Sequence, residues 1–330
     1  MRALRLFLAV LFLSSFVMGV FSTPAEQRPT ASPQNPEMPQ TKLRVDVGLV
    51  TVGVRVTDHR GREVPGLTAN DFTLLDDDQP QKLAYFSNQE LPISLLILLD
   101  ESSSMRSGQK LDRAKEAALT LVHSSHAQTE FLFIPFNHMV YVGPGFTQDR
   151  HVMESEIMRA EASGGTSLYD ALFVGLQWCT RASQPRQVMV VISDGTDEHS
   201  LHTLNQTVRS IMDSQVQVYT IGYYDAREAW ALKDGRKTIW TIDRRPIDNP
   251  RLVLENIAKE SGAEAFFPEN DKELSRAVEK IAKDVRTQYT LAFYPPDNAQ
   301  PGQYRTVKVK VDRKGLNVRA RPGYTLSPQP

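Results

Sequence analysis

The sequence predicts a doubly wound, mostly parallel α/β domain set between the two halves of a small β-sandwich. Three observations carry this. Residues 95–99 and 188–192 are unbroken apolar runs, the pattern of strands buried on both faces of a parallel sheet. Between residues 92 and 288, strand-like and helix-like patterns alternate, as they do in layered α/β domains. Both flanks, 42–91 and 289–325, hold only short β segments separated by turn residues. Neither flank can stand alone as a sheet unless its apolar face is covered, and packing the two together is the simplest cover.

The elements follow in order. Arg2 and Arg5 precede an apolar segment, 6–21, and small residues follow at Ser22, Thr23 and Ala25. This charged, apolar, small-residue succession predicts a signal peptide over 1–22. The competing reading is an uncleaved anchor, since the apolar segment is near the lower length limit for spanning. No cysteine lies near the cleavage zone, which argues against a lipoprotein. Residues 23–41 are rich in Pro, Gln and small polar residues and predict a disordered tether. Residues 44–56 alternate as a half-buried strand, and shorter strands are expected at 72–75 and 82–86, with a turn at 76–80.

Within 92–288, strands are expected at 93–100, 130–136, 139–142, 187–193, 216–223 and 264–267. Helical periodicity is clearest over 111–122, 168–180 and 271–285, the last with Leu274, Ala277, Val278, Ile281 and Val285 on one face. The chain then returns to β: a strand at 289–294 broken by Pro295 and Pro296, a strand at 304–311, and a Lys314-Gly315 turn into 316–321. Residues 326–330 form a tail.

Bulk properties narrow the function. With 38 basic and 39 acidic residues the net charge is −1, so nothing electrostatic favours nucleic acid or an anionic membrane as partner. No apolar stretch after the N-terminal segment is long enough to cross a bilayer. Cys179 is the single cysteine, so no internal disulfide can form. It lies in a helical pattern beside Trp178 and reads as a small buried hydrophobe; no activating His stands at a recognisable spacing.

The chemistry gathers at strand ends. Asp100, Ser102 and Ser104 follow the run Leu95-Leu96-Ile97-Leu98-Leu99, Thr166 follows Gly164-Gly165, and Asp194 follows the run 188–192. Ligands of open α/β sheets bind beyond the carboxyl ends of the strands, where Asp100 and Asp194 are both expected. Two carboxylates and three hydroxyls suit a hard divalent cation that keeps exchangeable water positions. Alone, Asp-x-Ser-x-Ser and Ser-Asp-Gly are ordinary turn sequences. In this order, at strand ends, they favour a metal site.

The succession Asp-x-Ser-x-Ser, Thr, Asp resembles the metal-ion-dependent adhesion site of von Willebrand factor A domains, which are vWA/Rossmann-like. The segments Val54-Arg55-Val56-Thr57-Asp58-His59-Arg60-Gly61, Leu67-Thr68-Ala69-Asn70-Asp71-Phe72 and Arg319-Ala320-Arg321-Pro322-Gly323-Tyr324 are similar to the flanks of the acidobacterial VWFA-related family. The resemblance covers about 43–325. It implies that Asp100, Ser102, Ser104, Thr166 and Asp194 hold Mg²⁺ (or Mn²⁺ or Ca²⁺) directly or through water. It also implies that a protein partner presents an Asp or Glu to the metal, in an exported, non-catalytic adhesion module of the periplasm or cell exterior.

Other features compete. Asp197, Glu198, His199 and His202 form a second possible ligand cluster, but no tetrahedral zinc set is evident and a solvated helix start explains them. The segment 225–250 is longer than a connection needs to be and carries Trp230, Trp240, Arg244 and Arg245, residue types enriched in binding hot spots. These four form either a partner-selecting rim or a cap on the core. A metal-dependent hydrolase or phosphotransferase would need a base beside Ser102 or Ser104, and no Gly-x-Ser-x-Gly elbow or phosphate-cradling loop is present. A structural envelope protein with a vestigial metal site is the remaining alternative.

Overall fold

The computed structural model describes residues 48–224, 228–229, 232, 235–240 and 246–326. The expected signal peptide, the tether and the first residues of the 44–56 strand lie outside them, as do Trp230, Arg244 and Arg245.

The central sheet has five strands, all parallel: β5 (Ser94–Asp100), β6 (Glu130–Phe136), β7 (Gln187–Ser193), β8 (Gln217–Gly222) and β11 (Ala265–Phe266). Their spatial order is β11-β8-β7-β5-β6, so the chain steps to one side of β5 with β6 and then returns to the other with β7. Alternate residues of β5 serve opposite layers. Leu95, Ile97 and Leu99 pack with α1 (Lys110–Ser124), α2 (Arg150–Met158) and α6 (Asp271–Thr287). Leu96 and Leu98 pack with α3 (Leu168–Cys179), α4 (Leu204–Asp213) and α5 (Pro250–Glu260). Every residue of β5 is buried, as the apolar run requires.

Three helices had no clear periodicity signal, and each is announced by its cap. Asp149 accepts from His151 N–H at the start of α2, Thr203 and Gln206 form a capping box on α4, and Asn249 caps α5 with Pro250 in its first turn.

The expected strand at 139–142 is absent. Only the bridge between Phe136 and Val140 and a bond from Tyr141 N–H to the Pro135 carbonyl attach this segment to β6. Gly143, Pro144 and Gly145 follow directly, and proline cannot extend a ladder whose neighbours favour turns. The expected turn at 76–80 is a tighter hairpin than the sequence suggested. Asp77 and Asp78 take positive φ values of 46° and 63°, joining β2 (Phe72–Asp76) to β3 (Gln79–Gln81).

The two flanks build the sandwich together. One sheet runs β14-β1-β12-β4 and the other β15-β13-β2-β3, so each mixes N-terminal and C-terminal strands. Here β1 is Val50–Asp58, β4 Tyr85–Ser87, β12 Tyr289–Phe293, β13 Tyr304–Val311, β14 Leu316–Arg319 and β15 Gly323–Thr325. Between the sheets lie Val52, Val54, Leu67, Leu74, Leu291, Phe293 and Tyr324. The α/β domain is thus inserted between the sandwich halves.

A buried ionic cluster joins the two layers. Asp284 of α6 receives Arg55 Nε of β1 and an Arg319 amine of β14, both at 2.8 Å, and Arg319 also pairs with Glu264. Burial pushes the Asp284 carboxyl up, and the two arginines offset only part of that rise.

Candidate metal centre

Asp100 is the last residue of β5 and is 0 % exposed. Its Oδ1 accepts from Ser102 N–H at 2.8 Å and its Oδ2 from the Ser193 hydroxyl at 2.5 Å. The chain then turns through a short 3-10 segment, Ser103–Gln109, anchored by the fully buried Met105. That turn brings Ser102 Oγ and Ser104 Oγ within 2.9 Å of each other.

The loop after α2 is laced to this turn. Ser103 N–H donates to the Gly164 carbonyl at 2.9 Å, and Ser163 N–H to the Glu101 carbonyl at 2.6 Å. Gly164 has φ +73°, and a Cβ there would lie 2.2 Å from His138 Nδ1; a Cβ on Gly165 would lie 2.3 Å from the His199 ring. The pair of glycines therefore lets the loop slide between two imidazoles. Thr166, 2 % exposed, is then held from the other side, its carbonyl accepting from Glu198 and His199 N–H at 3.0 and 2.9 Å.

Asp194 follows β7 and is 4 % exposed. Its Oδ1 accepts from Thr196 N–H at 3.1 Å and from the Thr196 hydroxyl at 2.6 Å. Gly195, at φ +78°, makes this turn possible, and its missing Cβ leaves room for the Pro250 carbonyl.

Asp100, Ser102, Ser104 and Asp194 thus stand at or just beyond the carboxyl ends of β5 and β7, and Thr166 stands on the 163–166 loop that is bonded to the turn after β5. Their electrostatics are unbalanced. Burial pushes the Asp100 carboxyl up to about 7, and the Asp194 charge pushes the same way, while the bonds from Ser102 and Ser193 offset only part. Among the described residues, no basic side chain pairs with Asp100. Two acidic groups and three hydroxyls, short of positive charge, are the donor set a hard cation fits. Mg²⁺ held there would supply a Lewis-acidic position for an oxygen ligand.

Sequence reasoning missed Ser193 and Thr196, which clamp the two carboxylates. Ser193 belongs to the Ser-Asp-Gly motif, and its place at the strand end was the available signal.

The second cluster is dispersed. Asp197 Oδ1 accepts from Ser200 Oγ at 2.6 Å, and His202 Nδ1 pairs with Asp170 Oδ1 at 2.6 Å while its ring stacks on Phe173. His199 is 3.9 Å from Glu198. Among the described residues, no group of three or more His, Cys, Asp or Glu side chains is arranged to hold a metal. Trp240 is 68 % exposed, on a hairpin of β9 (Thr238–Trp240) and β10 (Pro246–Asp248). Cys179 is buried, and burial pushes its thiol up to about 12. Among the described residues, no helix is long and apolar enough to cross a membrane.

Parts of the chain are similar to known proteins. Residues 95–196 match the family model of the von Willebrand factor type A domain. An uncharacterized protein of Synechocystis sp. is 28 % identical over 142 residues, 42 % of this chain and 34 % of that protein. Inter-alpha-trypsin inhibitor heavy chain H4 of Bos taurus is 22 % identical over 174 residues, 46 % of this chain and 19 % of its own length. The match therefore spans about a third or less of these curated relatives. A von Willebrand factor type A structure from Catenulispora acidiphila is similar with a TM-score of 0.49 and 13 % identity, covering 86 % of this chain and 75 % of that one. From β5 through the Asp194 loop, this chain is similar to the von Willebrand factor type A domain.

Proposed function

We propose that the chain is an exported, non-catalytic binding module that holds Mg²⁺ through Asp100, Ser102, Ser104, Thr166 and Asp194. Its partner is a protein that offers an Asp or Glu carboxylate to the metal. One observation carries this reading: Asp100 is fully buried at a strand end, bonded only by neutral donors, with the Asp194 charge acting on it. A buried anion in that setting costs free energy that a cation recovers.

Three neutral hydroxyls and two carboxylates leave the metal electron-poor, which favours an external anionic oxygen. The flanking signatures resemble those of the VWFA-related proteins of acidobacteria, and the N-terminal segment fits export. Trp240, exposed on its hairpin, is the described member of the proposed partner-selecting rim.

The test uses the mature chain and Mn²⁺ as a spectroscopic substitute. Free Mn²⁺ is titrated by electron paramagnetic resonance, and acetate is then added while the water-proton relaxation of the bound ion is followed. Saturable 1:1 binding, lost in Thr166→Ala, with acetate displacing water from the bound ion, supports the reading. Mn²⁺ binding that is absent, or equal in Thr166→Ala, overturns it.

A further inference from the structure

Strand β6 is the outer strand of the central sheet, and its outer edge is only partly paired. Glu130 N–H donates to the carbonyl of Ile93, the residue before β5, so the even-numbered residues of β6 face β5. Phe131, Phe133 and Pro135 therefore turn their backbone polar groups outward. Phe131 exchanges bonds of 2.7 and 2.9 Å with Thr147, and the Pro135 carbonyl accepts from Tyr141 N–H at 3.1 Å. These two attachments are out of step. From 131 to 135 is four residues along β6, whereas from 141 to 147 is six along the outer segment. The excess bulges away at Gly143-Pro144-Gly145, with Gly145 at φ +133°.

Phe133 lies in the middle of the gap. Counting from Thr147 it should pair with Gly145, and counting from Tyr141 with Gly143, but neither bond is made. Phe133 is 3 % exposed, and among the described residues neither its N–H nor its carbonyl has a partner on this side. A buried backbone donor and acceptor left open together are rare. In front of them lies a cleft of about 230 Å³, bounded by β6, the bulge and α2. Leu132, Phe146, Val152 and Met153 make its apolar walls, and Glu156 is the one charged side chain among its lining residues. The Glu156 carboxylate lies on the Gly143 side, 3.4 Å from where a Cβ would stand.

We infer that this cleft is a second docking site and takes the primary carboxamide of a glutamine side chain from a protein ligand. The occupant must accept from Phe133 N–H and donate to the Phe133 carbonyl together. A carboxylate brings no donor and is repelled by Glu156, while ammonium and guanidinium groups bring no acceptor. A primary carboxamide presents both, side by side in one plane. The methylenes of glutamine match the apolar walls. The volume is also below the roughly 300 Å³ at which pockets for whole small molecules begin. None of the lining residues belongs to the proposed metal site, so the two readings stand or fall separately.

The experiment follows the Phe133 amide resonance in the mature chain labelled with ¹⁵N-phenylalanine, assigned by its loss in Phe133→Leu. Butyramide, which is the glutamine side chain without its peptide, and N-acetylglutamine N-methylamide are the probes. Both are expected to shift this resonance saturably, with millimolar dissociation constants, and to slow its exchange with solvent. Butyrate, butylammonium and 1-butanol are expected to leave it in place. Val152 is 39 % exposed on α2, so Val152→Phe narrows the mouth from the surface. That variant is expected to weaken butyramide binding about tenfold at an unchanged melting temperature. No saturable shift with butyramide overturns the assignment. An equal shift with 1-butanol or butylammonium does the same, because any apolar chain would then fill the cleft. A shift with butyramide but none with the glutamine derivative rules out a side chain as occupant. Binding untouched in a folded Val152→Phe places the ligand elsewhere and overturns the assignment too.

Discussion

Asp100 and Asp284 are both 0 % exposed, yet the protein treats the two carboxylates in opposite ways. Asp284 sits where the α/β domain meets the sandwich and is met by Arg55 and Arg319 at 2.8 Å each. Asp100 sits at the carboxyl end of the central strand and is met by one backbone N–H and one hydroxyl. The first anion has its countercharge within the chain. The second has another carboxylate, Asp194, acting on it instead. Burial raises both groups, but only at Asp284 do cationic neighbours pull the carboxyl back. A fold that supplies two arginines to one buried aspartate and none to the other separates a structural joint from a site that awaits something positive.

The comparison can be broken most forcefully at the joint. Asp284→Ala leaves Arg55 and Arg319 facing each other under the sandwich, and is expected to cost about 3–5 kcal/mol of stability in urea unfolding. If the joint is only structural, the folded fraction should still bind Mn²⁺ with wild-type affinity; weakened binding would show the two regions to be coupled. The second test is Asp100→Asn, which keeps the shape and the bond from Ser102. Cation binding is expected to vanish, while metal-free stability stays within about 1 kcal/mol of wild type or rises, since an uncompensated charge has been removed. A loss as large as that of Asp284→Ala would mean that Asp100 is compensated after all.

A smaller effect is expected from Gly165→Ala. The added Cβ meets the ring of His199 at 2.3 Å, and because that side chain is half exposed it can swing away. A modest weakening of Mn²⁺ binding, through displacement of Thr166, should appear without a measurable change in unfolding. The smallest effect concerns Cys179. Its thiol is pushed up to about 12, so below that pH it stays protonated, and iodoacetamide at pH 8 should label the native chain far more slowly than the urea-unfolded one. Equal rates would place Cys179 outside the core of the α/β domain.

Much of the fold was legible because the strongest signals are those of burial. The runs at 95–99 and 188–192 fix two central strands, and the residue that ends each run is an aspartate. The sandwich could be inferred because alternating valines at both chain ends left apolar faces that only the other end could cover. The remainder depended on tertiary context. Val140 and Val142 look like strand residues, but Gly143-Pro144-Gly145 pulls the chain off the edge of β6 after two bonds. Helix α5 begins at the last residue of the 225–250 stretch and was not expected, although Asn249-Pro250 is a cap followed by a first-turn proline. Five oxygen donors were visible as motifs. The clamping roles of Ser193 and Thr196 were not, since they exist only once β7 lies beside β5 and the Asp194 turn has closed.

The claim that Asp100 awaits a cation is tested most directly by urea unfolding of wild type and Asp100→Asn, each with and without Mg²⁺ at a hundredfold excess over the dissociation constant measured for the wild type. Binding to the folded state alone should stabilise the wild type by about 2.7 kcal/mol, and Asp100→Asn not at all. A wild type whose unfolding ignores Mg²⁺, or a variant that gains as much, would contradict the account.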